Sequence, residues 1–177
     1  MKYDVVIFGK EVLRAKAQPV GEVTDEVKKL AADMLETMYA ASGVGLAAEQ
    51  VGRTERMCVI DVPADAENKE YVEFNKAVAM PLVMVDPVIK ELSKATQRGS
   101  EGCLSFPEIY AQITRANVVA VEYTGLDGVR HTARARGLLA RAIQHECDHL
   151  DGVLLVDRMS VVQRISVGGK LKRLQGK

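Results

Sequence analysis

The chain has no apolar run long enough to cross a bilayer. Its opening stretch, "MKYDVVIFGKEVLRAKAQPV", lacks the apolar core of a secretory signal and carries acidic residues that transit peptides avoid. Charge of one sign is not in excess either. Lysine plus arginine and aspartate plus glutamate each number 24, so no global field favours nucleic acid or a membrane surface, and neither is an expected partner. Only the end, "GGKLKRLQGK", is locally basic, as a solvated terminus or a contact for an anionic partner. Three cysteines are an odd number with no disulfide-like spacing, which fits a reducing compartment and a cytoplasmic location. There is no repeat, no low-complexity segment and no compositional break. Residues 1–177 therefore read as a single domain, long enough to bury a core.

What is present is a set of strands and two helices. Thr24-Asp25-Glu26 offers a helix cap with early negative charge, and Val27, Leu30, Ala31, Met34 and Met38 follow at helical spacing. "SGVGLAAEQVG" is a glycine-punctuated loop, while "RMCVIDV" (56–62) and "PLVMVDPVI" (81–89) read as strands. The polar stretch between them, residues 63–80, reads as an exposed hairpin tip or insertion. "NVVAVEYTG" and "VRHTARA" flank Leu126-Asp127-Gly128 as a hairpin. A second helix runs from about Gly137 to Leu150, closed by Gly152, and "VLLV" (153–156) is strand-like. Strands in meanders with two helices imply an α+β fold, with mostly antiparallel strands around the central second helix, rather than a doubly wound sheet.

That second helix carries "QHECDHLDG" (144–152), and with it His-Glu-x-x-His. Residues four apart share a helix face, so His145 and His149 can reach one ion, with Glu146 free to handle the proton of a water. The bland alternative is an amphipathic helix with two solvated histidines. With only three histidines in the chain, that spacing is hard to reach by chance. A third ligand is less obvious. Leu155 occupies the position of a third histidine in one extended form of the motif, and no glutamate follows Glu146. Asp151 is too close to the helix end to fold back. Upstream candidates are Cys58, Cys103, His131 or a carboxylate. Cys58 sits in an apolar strand, Cys147 on the far side of the helix, and His131 among polar hairpin residues. Cys103, in "SEGCLSFPE", is the best placed, and a thiolate with two imidazoles makes a sound tetrahedral set with one position open. Spacing by itself leaves the choice open.

"GVGLAAEQ" (43–50), "EGCLS" (101–105) and "QHECDHLDG", in this order, resemble the three signature motifs of the bacterial peptide deformylases. The similarity runs from about Leu13-Arg14 to Ser160. The resemblance implies one divalent metal ion held by Cys103, His145 and His149, Fe²⁺ physiologically, with Zn²⁺, Ni²⁺ or Co²⁺ as substitutes. It implies hydrolysis of the N-terminal formyl group from formylmethionine of new polypeptides, with transient work near the ribosomal exit tunnel. The residue chemistry agrees. A formamide is a poor electrophile, so a metal to activate water and polarise the carbonyl, and Glu146 to carry the proton, are what the reaction needs. By the same resemblance, the Gln50 amide and the Leu104 backbone N–H face the developing oxyanion. Val44 and Gly45 would pair with the peptide backbone. Ala142 and Leu138, one and two turns before His145, would wall a methionine pocket with Val44, and Arg141 would line its rim through its aliphatic stem.

Several positions depart from the pattern. Glu49 stands where proline is common, "FGKE" replaces the usual segment before Leu13-Arg14, residues 63–80 are longer than in compact members, and Tyr110 replaces an arginine of some members. Gly168-Gly169 argue against a long terminal helix, since glycine pairs break helices. Two other function classes remain. One is a zinc peptidase cutting internal amide bonds, betrayed by activity on unformylated peptides. The other is a metal-binding relative without catalysis.

Overall fold

The computed structural model describes residues 1–176, so Lys177 of the expected 1–177 domain lies outside the described residues. Helix α3 (Gly137–Leu150) runs through the centre, with nearly every residue buried. Its face bearing Leu139, Ile143, Cys147 and Leu150 packs on a five-stranded sheet. The strands are β1 (Gly45–Ala47), β2 (Met57–Ile60), β3 (Leu82–Leu92), β6 (Val118–Thr124) and β7 (Arg130–Arg136), adjacent in that order and antiparallel throughout. Helix α1 (Asp25–Ala40) covers the other side, its Leu30, Met34 and Met38 meeting Met57, Val59 and Val85. This two-sided cover explains why β2 is apolar at every position. Cys58 and Ile60 face α3 while Met57 and Val59 face α1. The expected α+β architecture is what the chain adopts.

A separate two-stranded ribbon, β4 (Thr96–Gly102) and β5 (Tyr110–Ala116), pairs Gly102 with Tyr110 and Thr96 with Ala116. Both strands are too polar to have been read as strands from sequence. Their turn, residues 103–109, carries Cys103 and Leu104 to the mouth of α3.

Three expectations are corrected. Residues 63–80 are no free hairpin tip. They contain α2 (Lys69–Asn75), capped by Asn68, whose Oδ1 accepts from Tyr71 N–H at 2.9 Å. Asn75 holds both backbone groups of Arg136, and Tyr71 lies under its guanidinium at 4.8 Å, so the segment is bound to the start of α3. "VLLV" is no strand but leads into the single turn α4 (Leu155–Arg158). Asp157 accepts from Leu154 N–H at 2.8 Å and Leu154 and Leu155 are buried, so capping and burial outweigh β propensity. The chain then ends in a long helix after all, α5 (Val161–Gln175). Ser160 and Gln163 form a reciprocal cap, and Val167, Leu171 and Leu174 dock on the cluster around Phe8 and Phe106. That docking offsets a cost of about 1 kcal/mol for each of Gly168 and Gly169.

Candidate metal centre

The start of α3 is fixed from outside the helix. Its first residue, Gly137, has φ of 67°, and a Cβ there would lie 2.3 Å from Tyr71 and 2.5 Å from Glu67 Oε2, so glycine is required. Glu67 Oε1 then accepts from Leu139 N–H at 2.9 Å and serves as a remote cap. Two turns on, α3 presents His145 and His149 on one face.

Three donor atoms converge there: Cys103 Sγ and one nitrogen from each imidazole lie within 4.8 Å of one another. His145 Nε2 and His149 Nε2 are 3.2 Å apart, and Cys103 Sγ is 3.3 Å from His149 Nε2. Donors held 2.0–2.3 Å from a tetrahedral ion sit roughly 3.3–3.6 Å apart, so spacing and donor types fit a divalent metal. The protonation pattern fits as well. Burial and the neighbouring His145 push His149 well below the ordinary imidazole range, leaving a neutral lone pair. Burial also opposes charge on His145, yet its bonds to Cys103 and Glu101 hold its pKa well above normal.

Glu101, which sequence reasoning passed over, fixes His145. Its Oε1 accepts from His145 Nδ1 at 2.8 Å. Burial would raise the Glu101 pKa, but both fork nitrogens of Arg115, each at 2.9 Å, together with His145 hold it far below the carboxylate range. Arg115 also donates to Asp148 at 2.6 Å. The signal was present in the quoted "EGCLS", where a glutamate stands two residues before the thiol.

Glu146 lies beside the donors, 4% exposed, with Oε2 bonded to nothing in the protein. Burial lifts its pKa to about 7, near where proton exchange with a reacting group is easiest. Its Oε1 sits 2.2 Å from where a Cβ of Gly45 would be, so only glycine at that position lets the carboxylate stand against the strand. Gln50 is held in the turn Ala48–Val51. Its Oε1 accepts from Ala47 N–H at 2.9 Å, and its Nε2 donates to Ser105 Oγ at 3.1 Å and lies 3.5 Å from Cys103 Sγ. Glu49, expected as a charge beside Gln50, is instead fully buried with both carboxylate oxygens unbonded. Burial raises its pKa to about 8.

A cavity of about 390 Å³ opens over these groups. Gln50, Cys103, Leu104, His145 and Glu146 line it together with Val44, Gly45, Leu138, Arg141 and Ala142, and so does the exposed Tyr110. His149 is 1% exposed and meets the site through Cys103 and His145. Arg141 differs from its expected place at a rim, because it is only 4% exposed and its guanidinium turns inward. Cys58 and Cys147 are buried thiols in the core, with burial pushing Cys147 up to about 12. His131 pairs with Asp127 at the surface.

Comparison with known proteins gives one answer. Residues 2–164 match the sequence pattern of the polypeptide deformylase family. The chain is similar to peptide deformylase 2 of Gloeobacter violaceus, 49% identical over 152 residues, or 86% of this chain and 76% of that one. Its fold is similar to a peptide deformylase from Ehrlichia chaffeensis, with a TM-score of 0.87 and 34% identity over 98% and 96% of the two chains. It also resembles a peptide deformylase from Synechococcus elongatus solved in complex with actinonin, with a TM-score of 0.83 and 37% identity over 97% and 85%.

Proposed function

We infer the chemistry of this site from one premise, that the chain belongs to the polypeptide deformylase family. It is a metal-dependent hydrolase that removes the N-terminal formyl group from nascent polypeptides. The residue roles that follow are our reading. Cys103, His145 and His149 hold the ion, supported by the convergence of their donor atoms. When bound, the metal supplies Lewis acidity that activates water and polarises the formyl carbonyl.

Glu146 takes a proton from the attacking water as its oxygen bonds to the formyl carbon. It returns that proton to the amine nitrogen as the C–N bond breaks, leaving formate and a free amino terminus. A carboxyl with a pKa of about 7 can do both. Gln50 Nε2 and the Leu104 N–H donate to the formyl oxygen as charge grows there, and the Gln50 amide is oriented by its bonds to Ala47 N–H and Ser105 Oγ. The backbone of Val44 and Gly45 receives the peptide in extended form. Val44, Leu138 and Ala142, with the stem of Arg141, enclose the methionine side chain. Fe²⁺ is the ion we assign physiologically, with Zn²⁺, Ni²⁺ and Co²⁺ suited to the same donors. We place the enzyme in the cytoplasm, acting transiently beside the ribosome. No helix among the described residues is long and apolar enough to cross a membrane.

The carrying observation is the meeting of three ligand atoms at a largely apolar cavity that Glu146 and Gln50 also line. The test is anaerobic purification, metal analysis and release of formate from formyl-Met-Ala-Ser. One ion per chain and activity confined to the formylated peptide are expected. A metal-free protein, or equal cleavage of internal bonds in unformylated peptides, would overturn the reading.

A further inference from the structure

Arg141 is an odd choice for a methionine pocket. An apolar side chain would line it as well, and a buried cation costs desolvation unless every donor is used. Here three of its five N–H groups bond within the protein. Nη1 donates to Glu101 Oε2 at 2.7 Å and to the Ile113 carbonyl at 2.9 Å, and Nη2 to the Gln97 carbonyl at 3.3 Å. The guanidinium thus ties α3 to both strands of the ribbon. Gly99 makes the space, since a Cβ there would lie 3.1 Å from Arg141 Nη2. The carboxylate it holds is the one that holds His145. Glu101 Oε2 accepts from Arg141 and Arg115 Nε, while Oε1 accepts from Arg115 Nη2 and His145 Nδ1. Four donors on two oxygens leave that carboxylate no alternative orientation.

We propose that Arg141 is a positioning residue for the metal centre. Through Glu101 it sets the orientation of His145, while its stem forms part of the wall that the first side chain of the substrate meets. The proposal rests on Cys103, His145 and His149 being the ligands. A partner of a histidine's partner acts at one remove, so its loss is worth the lower part of the 10- to 100-fold range seen for groups bonded directly to ligands.

The test uses the parent, Arg141→Met and Arg141→Lys, each loaded with Zn²⁺ or Co²⁺. Methionine keeps the unbranched stem and removes the fork. Lysine keeps stem and charge, but one ammonium cannot span Glu101 and both carbonyls. Expected for Arg141→Met are Zn²⁺ loss to a chelator faster by ~10-fold, altered Co²⁺ visible bands, kcat lower by ~10-fold and KM within ~3-fold of the parent. Arg141→Lys should change in the same direction by ~3-fold, and it decides the matter if the methionine variant does not fold. A rise in KM alone, with metal loss and Co²⁺ spectrum unchanged in the folded variants, would make Arg141 a pocket wall only and overturn the proposal. His145→Ala, measured alongside, separates the two readings. If it holds metal as the parent does, the ligand assignment itself has failed.

Discussion

Glu49 is a carboxyl in a place that offers it nothing: fully buried, with neither oxygen bonded within the protein. Burial is the main reason its pKa rises from 4.5 to about 8. Its own backbone N–H and Arg56 only partly oppose this, while Glu146 and Asp151 add repulsion. The folded chain therefore keeps a proton that the unfolded chain releases near pH 4.5. Stability from this group is fully present below that pH, falls as pH rises, and is lost once pH passes about 8. At about 1.36 kcal/mol per pH unit, the interval is worth roughly 5 kcal/mol. Glu49→Gln keeps the shape and stays neutral at every pH. It should match the parent within ~1 kcal/mol at pH 5 and exceed it by several kcal/mol at pH 8.5. Denaturant unfolding of both proteins with the same bound metal, at pH 5, 7 and 8.5, gives the difference at each pH and cancels every other titrating group. If that difference is the same at all three, Glu49 is not a neutral buried acid and the reasoning fails.

Glu146→Gln should keep about one metal ion per chain while kcat falls ~10²- to 10⁴-fold, read by metal analysis and formate release; activity within a few-fold of the parent would remove Glu146 from its role. Cys103→Ala should lose or weakly hold metal, whereas Cys58→Ala and Cys147→Ala should keep it and lower the melting temperature only. Glu67→Ala takes the cap from Leu139 N–H and should cost ~1 kcal/mol, a fall of about 2–4 °C that Glu67→Gln largely restores. The iron-loaded enzyme should lose activity in air faster than under argon, with oxidised Cys103 found by mass spectrometry.

Where side-chain period and backbone agreed, the fold was legible in the sequence. Thr24 caps α1 where expected, its Oγ1 accepting from Val27 N–H at 3.4 Å, and the Asp127-Gly128 turn joins β6 to β7. His145 and His149 were readable as a pair because helical spacing fixes their relation locally. Spacing alone did not fix the third donor, because Cys103 reaches them through the pairing of β4 with β5; its polar, glycine-containing surroundings and the family resemblance singled it out. Residues 63–80 were misread for a related reason. Their polarity is real, but Glu67, Tyr71 and Asn75 spend it on the first turn of α3 rather than on water.

The ribbon holds a physical reason why polar strands mislead. On β5, Ala111, Ile113 and Arg115 share the buried phase, and on β4, Gln97, Gly99 and Glu101 share the inward one. Read by hydrophobic alternation, arginine, glutamine and glutamate at those positions argue against strands at all. Local pattern and global fold conflict here, and such conflicts concentrate where a protein gives up stability for function. An apolar pair at 101 and 115 would cost less to bury. It could not accept the Nδ1 proton of His145, and that imidazole would be free to turn its other nitrogen away from Cys103 and His149. The charges at the wrong phase of the ribbon are thus part of what makes three scattered residues one site.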